Sequence, residues 1–216
     1  MEPLLKIDTP RYFGFRALVQ GYALHFLASL VPFIVPLAAL VPIFTDVVPT
    51  RFAPLLLLLG GCGMIILYAC FMPLIQVNPF IQRIVNRVAG PKAPDAIAYD
   101  CQLTLSPRLC RGIRALLEDA DDVGRLEVTA EAVHFTGDRI QIVLPFESIS
   151  GIMQTKCDWR NFWVAGRKTR ITTSAFADIE YIEFGEREAR TYFSSKRVST
   201  EIHYAIACGL EVSREA

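Results

Sequence analysis

Two long, almost uninterrupted apolar runs occupy the N-terminal third of the chain. The first covers about Ala17 to Phe44 and the second about Phe52 to Gln76. A helix needs about 20 apolar residues to cross a hydrocarbon core about 30 Å thick, and each run is longer than that. The first run is also too long for the apolar core of a cleaved signal peptide. Because the connection, Thr45 to Arg51, is short, the pattern predicts a two-helix transmembrane hairpin at residues 17–77.

Basic residues flank both sides of this predicted hairpin. They are Lys6, Arg11 and Arg16 before the first run, and Arg83, Arg87 and Lys92 after the second, against Arg51 alone in the turn. Positive charge near the ends of membrane helices favours the cytoplasmic side. The chain is therefore predicted to be a multi-pass protein of the cell (inner or plasma) membrane, with both termini cytoplasmic and residues 1–16 as a cytoplasmic segment.

Three glycines form a narrow stripe within the second apolar run. They are Gly60, Gly61 and Gly63. Small residues on one side of a helix allow a second backbone to approach closely. The stripe indicates either a helix-packing surface or the ordinary tolerance of lipid-embedded helices for glycine.

A short amphipathic helix is predicted directly after the second run. Asn78 and Pro79 mark its start, and Gly90 marks its end. Its apolar side chains, among them Phe80, share one face, whereas Arg83 and Arg87 lie on the other. This pattern is typical of a helix at the membrane interface, so residues 78–94 are read as an interfacial helix and linker. Alternatively, the apolar face packs on the folded domain.

Residues 95–216 have the pattern of a folded α+β domain. A helix with one apolar stripe is predicted from Ser106 to Asp122. From Gly124 the apolar period changes to two, which predicts several short strands, and a second amphipathic helix follows at about Val198 to Gly209. Many short antiparallel strands closed by one helix predict a small β-barrel or sandwich.

The segment from Gly124 to about Leu210 resembles a GRAM or bacterial pleckstrin-homology-like (PH-like) domain. The matching pieces are Val133–Gly137, Leu144–Ile149 and the later strand Ile179–Phe184. The resemblance implies a PH-like small β-barrel with a C-terminal helix. It also implies binding of membrane lipids or proteins rather than catalysis, and it transfers no specific lipid-binding residues. The predicted fold is thus a membrane α-helical hairpin followed by a PH-like cytoplasmic domain.

A basic and aromatic stretch in this domain is the best candidate contact surface. Its residues are Trp159, Arg160, Trp163, Arg167, Lys168 and Arg170. Clustered cations near an anionic leaflet contribute about 1 kcal/mol each to binding, and tryptophan favours the interface. The stretch therefore predicts contact with lipid headgroups of the inner leaflet or with a partner. Alternatively, it is a solvated hairpin with its aromatic rings in the core.

Composition excludes several classes of function. The 22 basic residues balance the 22 acidic ones, so no strongly basic surface points to nucleic acid. The 6 cysteines are scattered without a CxxC motif, which indicates neither a metal site nor a disulfide framework. No catalytic or cofactor-binding motif is present.

These observations favour a non-enzymatic, membrane-anchored adaptor without a cofactor. Its PH-like domain would be presented to lipid headgroups or to a protein partner. An accessory subunit of a larger membrane complex, or a homo-oligomer, is the alternative, with the glycine stripe as a helix contact. A membrane enzyme that acts on lipids is the least favoured hypothesis.

Overall fold

The chain is described by a computed structural model. The structure describes residues 1–45, 47, 49–71, 78–92, 97–112, 120–156 and 167–215.

Among the described residues, eight strands form one open antiparallel sheet. They are β1 (Leu4–Ile7), β2 (Ala98–Ser106), β3 (Asp122–Val128), β4 (Ala132–Gly137), β5 (Ile140–Pro145), β6 (Ile149–Lys156), β7 (Arg167–Thr173) and β8 (Tyr181–Glu186). Their order across the sheet is β1-β5-β4-β3-β2-β8-β7-β6. The predicted PH-like barrel behind a membrane anchor is therefore wrong as a fold class. Alternation of apolar residues identifies strands, but it does not specify whether their sheet closes on itself.

Four α-helices accompany the sheet within the described residues. They are α1 (Phe15–Phe44), α2 (Ala53–Phe71), α3 (Asn78–Ala89) and α4 (Tyr192–Glu215). α1 and α2 pack against each other, and α4 packs against β6, β7 and β8. The predicted C-terminal helix at 198–209 is confirmed within α4, and the predicted bounds of the short helix after residue 77 are confirmed by α3.

No helix among the described residues combines the length and apolar character that spanning a membrane requires. The predictions of a transmembrane hairpin and of a multi-pass membrane location with cytoplasmic termini are therefore wrong. The first run begins within the folded domain, because Ala17 is buried together with Phe13.

The main core lies between one face of the sheet and α4. Alternate residues of β2 to β5 point into it, including Leu103, Leu126 and Phe135, and Ile202 and Ile206 of α4 cover them. These strands follow the period of two seen in the sequence. Because the ring of Phe146 lies against α4, a Cβ at Gly209 would come within 2.2 Å of that ring.

The N-terminal segment belongs to the sheet, although its sequence predicts no strand. Leu4 to Ile7 pair with β5, opposite Val143 to Ile140. The carboxylate of Asp138 then accepts hydrogen bonds from the backbone N–H groups of Arg11, Tyr12 and Phe13, at 2.8, 2.7 and 2.7 Å. This carboxylate fixes the turn that leads from β1 into α1.

The apolar face of α3 packs on the second face of the sheet. Ile81, Ile84 and Val85 are buried in a cluster with Phe13 and Val123. The Asn78 side chain donates to the carbonyl of Ala189 at 2.7 Å, which fixes the start of the helix. The structure thus shows the second arrangement that the sequence left open, in which this face packs on the domain.

The helix predicted from Ser106 to Asp122 does not begin where expected. Ser106 is the last residue of β2, and residues 107–112 are not helical, while 113–119 lie outside the described residues. Asp121 accepts backbone N–H groups of Leu105, Leu109 and Cys110 at 2.8–2.9 Å. A carboxylate that bonds neighbouring backbone donors offers them an alternative to helix formation.

Asp122 makes the stability of the fold depend on pH. Its buried carboxylate accepts backbone N–H groups of Val123, Arg139 and Ile140 at 2.8, 2.7 and 2.6 Å. Burial raises the pKa of Asp122 to about 6, and nearby Asp138 adds to the rise. Because the folded pKa exceeds the unfolded one, the stabilising contribution is complete below about pH 4 and is lost as pH rises through 6.

We expect Asp122→Asn to remove this dependence. Between pH 4 and pH 7 the wild type should lose up to about 3 kcal/mol of unfolding free energy relative to the variant. Urea unfolding at several pH values measures the difference. Asp178→Asn, at an exposed position, is the matched control and should show the wild-type pH profile. Parallel profiles for the wild type and Asp122→Asn would contradict the assignment.

Candidate functional site

Two of the predicted basic residues meet a carboxylate on the second face of the sheet. Lys168 and Arg170 on β7 lie on the same face as Glu183 on β8, and Arg170 is directly opposite Glu183. The Arg170 Nη2 atom lies 2.8 Å from Glu183 Oε1, and Lys168 Nζ lies 3.7 Å from Glu183 Oε2. The guanidinium of Arg170 also stacks 3.9 Å from the centre of the Tyr181 ring. Glu183 thus forms ion pairs with both Lys168 and Arg170.

Lys168 is enclosed by the fold. Its side chain is 2% exposed, and burial lowers the pKa of Lys168 to about 8. Glu183 raises this pKa, whereas the positive charges of Arg187 and Arg108 lower it further. Thr155 on β6 donates its hydroxyl hydrogen to Glu183 at 3.4 Å. Lys168 therefore lies in a buried, polar environment that contains both carboxylate and guanidinium groups.

The other predicted contact residues are placed differently. Arg167 is exposed and donates to the side-chain oxygen of Gln154 at 2.9 Å. Trp159, Arg160 and Trp163 lie outside the described residues. The structure therefore separates Arg167, on the surface, from Lys168 and Arg170, which are paired with Glu183. A contact between this stretch and lipid headgroups stays a prediction.

The residues predicted for the interfacial helix divide between surface and core. Arg83 and Arg87 are exposed on α3, whereas Phe80 is half-buried against the cluster around Val85. The two arginines are therefore accessible to a partner. Phe80 contributes to packing within the domain.

An apolar stripe of surface residues follows α1 along most of its length. Its members recur at alternating intervals of four and three residues: Leu30, Ile34, Leu37, Val41 and Phe44, preceded by Phe26 and Leu27. Leu37, for example, is 65% exposed. Spacing of this kind, with a period of about 3.5, places apolar side chains on one seam of a helix.

α2 carries a second stripe within a wider exposed apolar surface, which also includes Leu57, Leu59 and Ile66. Leu55, Leu58, Cys62 and Ile65 are exposed at successive intervals of three and four residues. Gly60 is buried, Gly63 is half-buried, and a Cβ at Gly61 would meet nothing within 4 Å. The three glycines predicted for helix packing thus differ in exposure, and whether they contact another helix stays a prediction. The stripes of α1 and α2 are together called the apolar seam.

Exposed apolar surface of this extent is unusual in a monomeric protein and marks interaction sites. The sequence does not distinguish the exposed positions, because nearly every position of both runs is apolar. Among the described residues, no group of three His, Cys, Asp or Glu side chains is arranged to hold a metal ion.

Comparisons with known proteins leave the family open. No protein-family model matches the chain, and no curated protein matches it in sequence. A chain from a solved structure described as "The 8S snRNP Assembly Intermediate" is similar over 56% of this chain and 87% of that chain, with 10% sequence identity and a TM-score of 0.35. Similarity at this level supports no statement about function.

Proposed function

We propose that this protein is a non-enzymatic binding protein in which the sheet domain carries the α1–α2 pair, and the apolar seam is its protein-binding surface. The partner of this seam is the same seam of a second copy of the chain. The exposed apolar stripe of α1 is the observation that carries it.

The spacing of the apolar seam indicates that the partner element facing it is a helix. Side chains that recur every 3.5 residues insert between those of a facing helix when the two cross at a small angle. A partner that offers a sheet would match a period of two instead. Gly61 leaves open space above α2, where a facing helix can approach.

The absence of charge supports a second copy in particular. Of the residues in α1 and α2, only Arg16 is an aspartate, glutamate, lysine or arginine. A surface that contacts its own copy about a two-fold axis must be complementary to itself. An uncharged apolar seam meets this condition, because burial against an identical seam leaves no like charges opposed.

Substitution of Leu30 and Leu37 by glutamate tests the proposal directly. Both side chains are exposed, so the fold of one chain should tolerate the change. Light scattering after size exclusion should give a dimer for the full-length wild type and a monomer for the variant. Met153→Glu and Val212→Glu, at apolar positions of similar exposure elsewhere, are controls and should remain dimeric.

The exposed thiols provide a second measurement. Cys62 lies in the apolar seam and Cys208 lies on α4. Mass-spectrometric peptide mapping should show slow maleimide labelling of Cys62 in the dimer and rates similar to those of Cys208 in the Leu30/Leu37 variant. A monomeric wild type would overturn the proposal. Recovery of the wild type as monomers bound to neutral lipid vesicles would overturn it too, because lipid would then cover the seam.

A further inference from the structure

Four exposed arginines surround the contact between α3 and the start of α1. Arg83 and Arg87 are four residues apart on α3 and therefore lie on one side of that helix. Arg16 lies in the first turn of α1, and Arg11 precedes the helix. These four arginines are called the basic patch.

The apolar cluster on the second face of the sheet brings the two elements together. Phe13 and Ala17, at the start of α1, are buried in this cluster with Ile84 of α3, and Val88 of α3 packs against it. Each arginine of the basic patch lies within two residues of one of these four apolar residues along the chain. The packing therefore places the four positive charges around a single contact.

Within the described residues, no carboxylate forms an ion pair with the basic patch. Asp8, which is near Arg11 in the chain, is paired with Lys6. Asp138 is buried and accepts the backbone N–H of Arg11 rather than its guanidinium group. Neither α1 nor α3 contains an acidic residue. The four guanidinium groups are therefore available to an anionic partner.

The surface next to the basic patch is apolar. Val19 is 50% exposed and follows Arg16 by three residues, so the two side chains are neighbours on α1. Tyr12 is 46% exposed and adjoins Arg11. The rest of α1 beyond Arg16 contains no aspartate, glutamate, lysine or arginine. A partner that fits this surface offers anionic groups directly beside apolar material.

An anionic bilayer surface has this combination, because charged headgroups cover the acyl chains. Arginine forms bidentate hydrogen bonds with phosphate, and the tyrosine ring is suited to the level of the headgroups. An acidic protein segment would supply the anions without the neighbouring apolar layer. The chemistry of the surface therefore favours lipid.

We propose that the basic patch binds the surface of a membrane that contains anionic lipids. The guanidinium groups donate to the headgroup oxygens, and Tyr12 and Val19 lie against the headgroup layer. The arginine side of α3 makes the contact, since Ile81, Ile84 and Val85 on its apolar side are buried in the domain. The proposal is independent of the apolar seam.

Co-sedimentation of the full-length chain with lipid vesicles tests the proposal. One set of vesicles contains phosphatidylcholine alone, and in the other about a third of the lipid is phosphatidylserine. Each arginine near such an anionic leaflet strengthens partitioning about fivefold, so Arg83→Gln with Arg87→Gln should weaken it about 25-fold. Salt at about 1 M, where the Debye length falls to about 3 Å, should release the wild type.

Arg197→Gln with Arg214→Gln is the matched control. Both arginines are exposed on α4, which packs on the other face of the sheet, and the two changes remove the same charge. This double variant should partition like the wild type. Neither pair of arginines belongs to the apolar seam, so both double variants should keep the oligomeric state of the wild type.

Three results would overturn the proposal. The first is equal partitioning of the wild type into neutral and anionic vesicles, and the second is an equal loss of partitioning in the two double variants. The third is salt-dependent binding of the wild type to polyglutamate without binding to anionic vesicles, because the basic patch would then serve an acidic protein.

Discussion

Replacing Arg125 by methionine is expected to lower the free energy of unfolding by about 3–5 kcal/mol. Arg125 on β3 is 1% exposed, and its Nε and Nη2 atoms donate to Asp100 Oδ1 at 3.1 and 3.0 Å. Methionine fills most of the volume but leaves the buried carboxylate of Asp100 without its cation. The cost comes chiefly from this uncompensated charge, because the intact pair already offsets much of its own desolvation.

The same arginine joins α3 to the sheet, which gives the substitution a local effect. Arg125 Nη2 donates to Asn86 Oδ1 at 2.8 Å, and Nη1 donates to the carbonyl of Gly90 at 2.6 Å. Asn86 lies in α3 and Gly90 directly follows it. Hydrogen exchange in Arg125→Met should therefore accelerate in α3 more than in the central strands.

Equilibrium unfolding in urea measures the loss, and Arg197→Met is the control. Arg197 is paired with Glu201 at 3.4 Å, but its side chain is 75% exposed. Exposed pairs of this kind contribute about 0.3–0.5 kcal/mol. A second comparison uses the double variant Asp100→Asn/Arg125→Met. Its loss of unfolding free energy should be smaller than the sum of the losses in the two single variants. A loss below 1 kcal/mol in Arg125→Met would show that Asp100 is not held as an isolated buried charge.

The pair illustrates which parts of the fold the sequence could predict. Strands β3, β4 and β5 were predicted, because their apolar residues alternate, and α3 was predicted from its cap and its glycine stop. Arg125 and Asp100 occupy polar positions of their strands, where the alternation of apolar and polar residues predicts exposure to solvent. Their burial depends on α3 covering the second face of the sheet, a tertiary contact that no local pattern encodes.

The candidate surfaces were predictable only in part, for a similar reason. The basic residues of β7 were identified by type, yet their partner Glu183 lies on β8, and only the strand register brings them together. The apolar runs were identified correctly as helices, but their hydropathy was taken as lipid contact, whereas the described helices do not span a membrane.

Gly124→Ala is expected to destabilise the fold by about 3 kcal/mol, at the upper end of the usual cost of overpacking. Gly124 on β3 lies directly opposite Gly137 on β4. An added Cβ would lie 2.3 Å from the Thr136 carbonyl oxygen and 2.5 Å from Gly137 Cα. These are backbone atoms of a central strand, so relief requires the two strands to separate.

Gly151→Ala on β6 is the matched control within the same sheet. The added Cβ would lie 2.8 Å from Thr172 Oγ1, a side-chain atom that moves by rotation about a single bond. The hydrogen bond that the Thr172 hydroxyl donates to the Gly151 carbonyl, at 3.2 Å, would weaken. The expected loss of unfolding free energy is therefore only about 1 kcal/mol. Urea unfolding of both variants measures the difference. Equal losses of unfolding free energy in the two variants would mean that β3 and β4 move apart as easily as one threonine side chain rotates. The close pairing of Gly124 with Gly137 would then not be a rigid feature of the sheet.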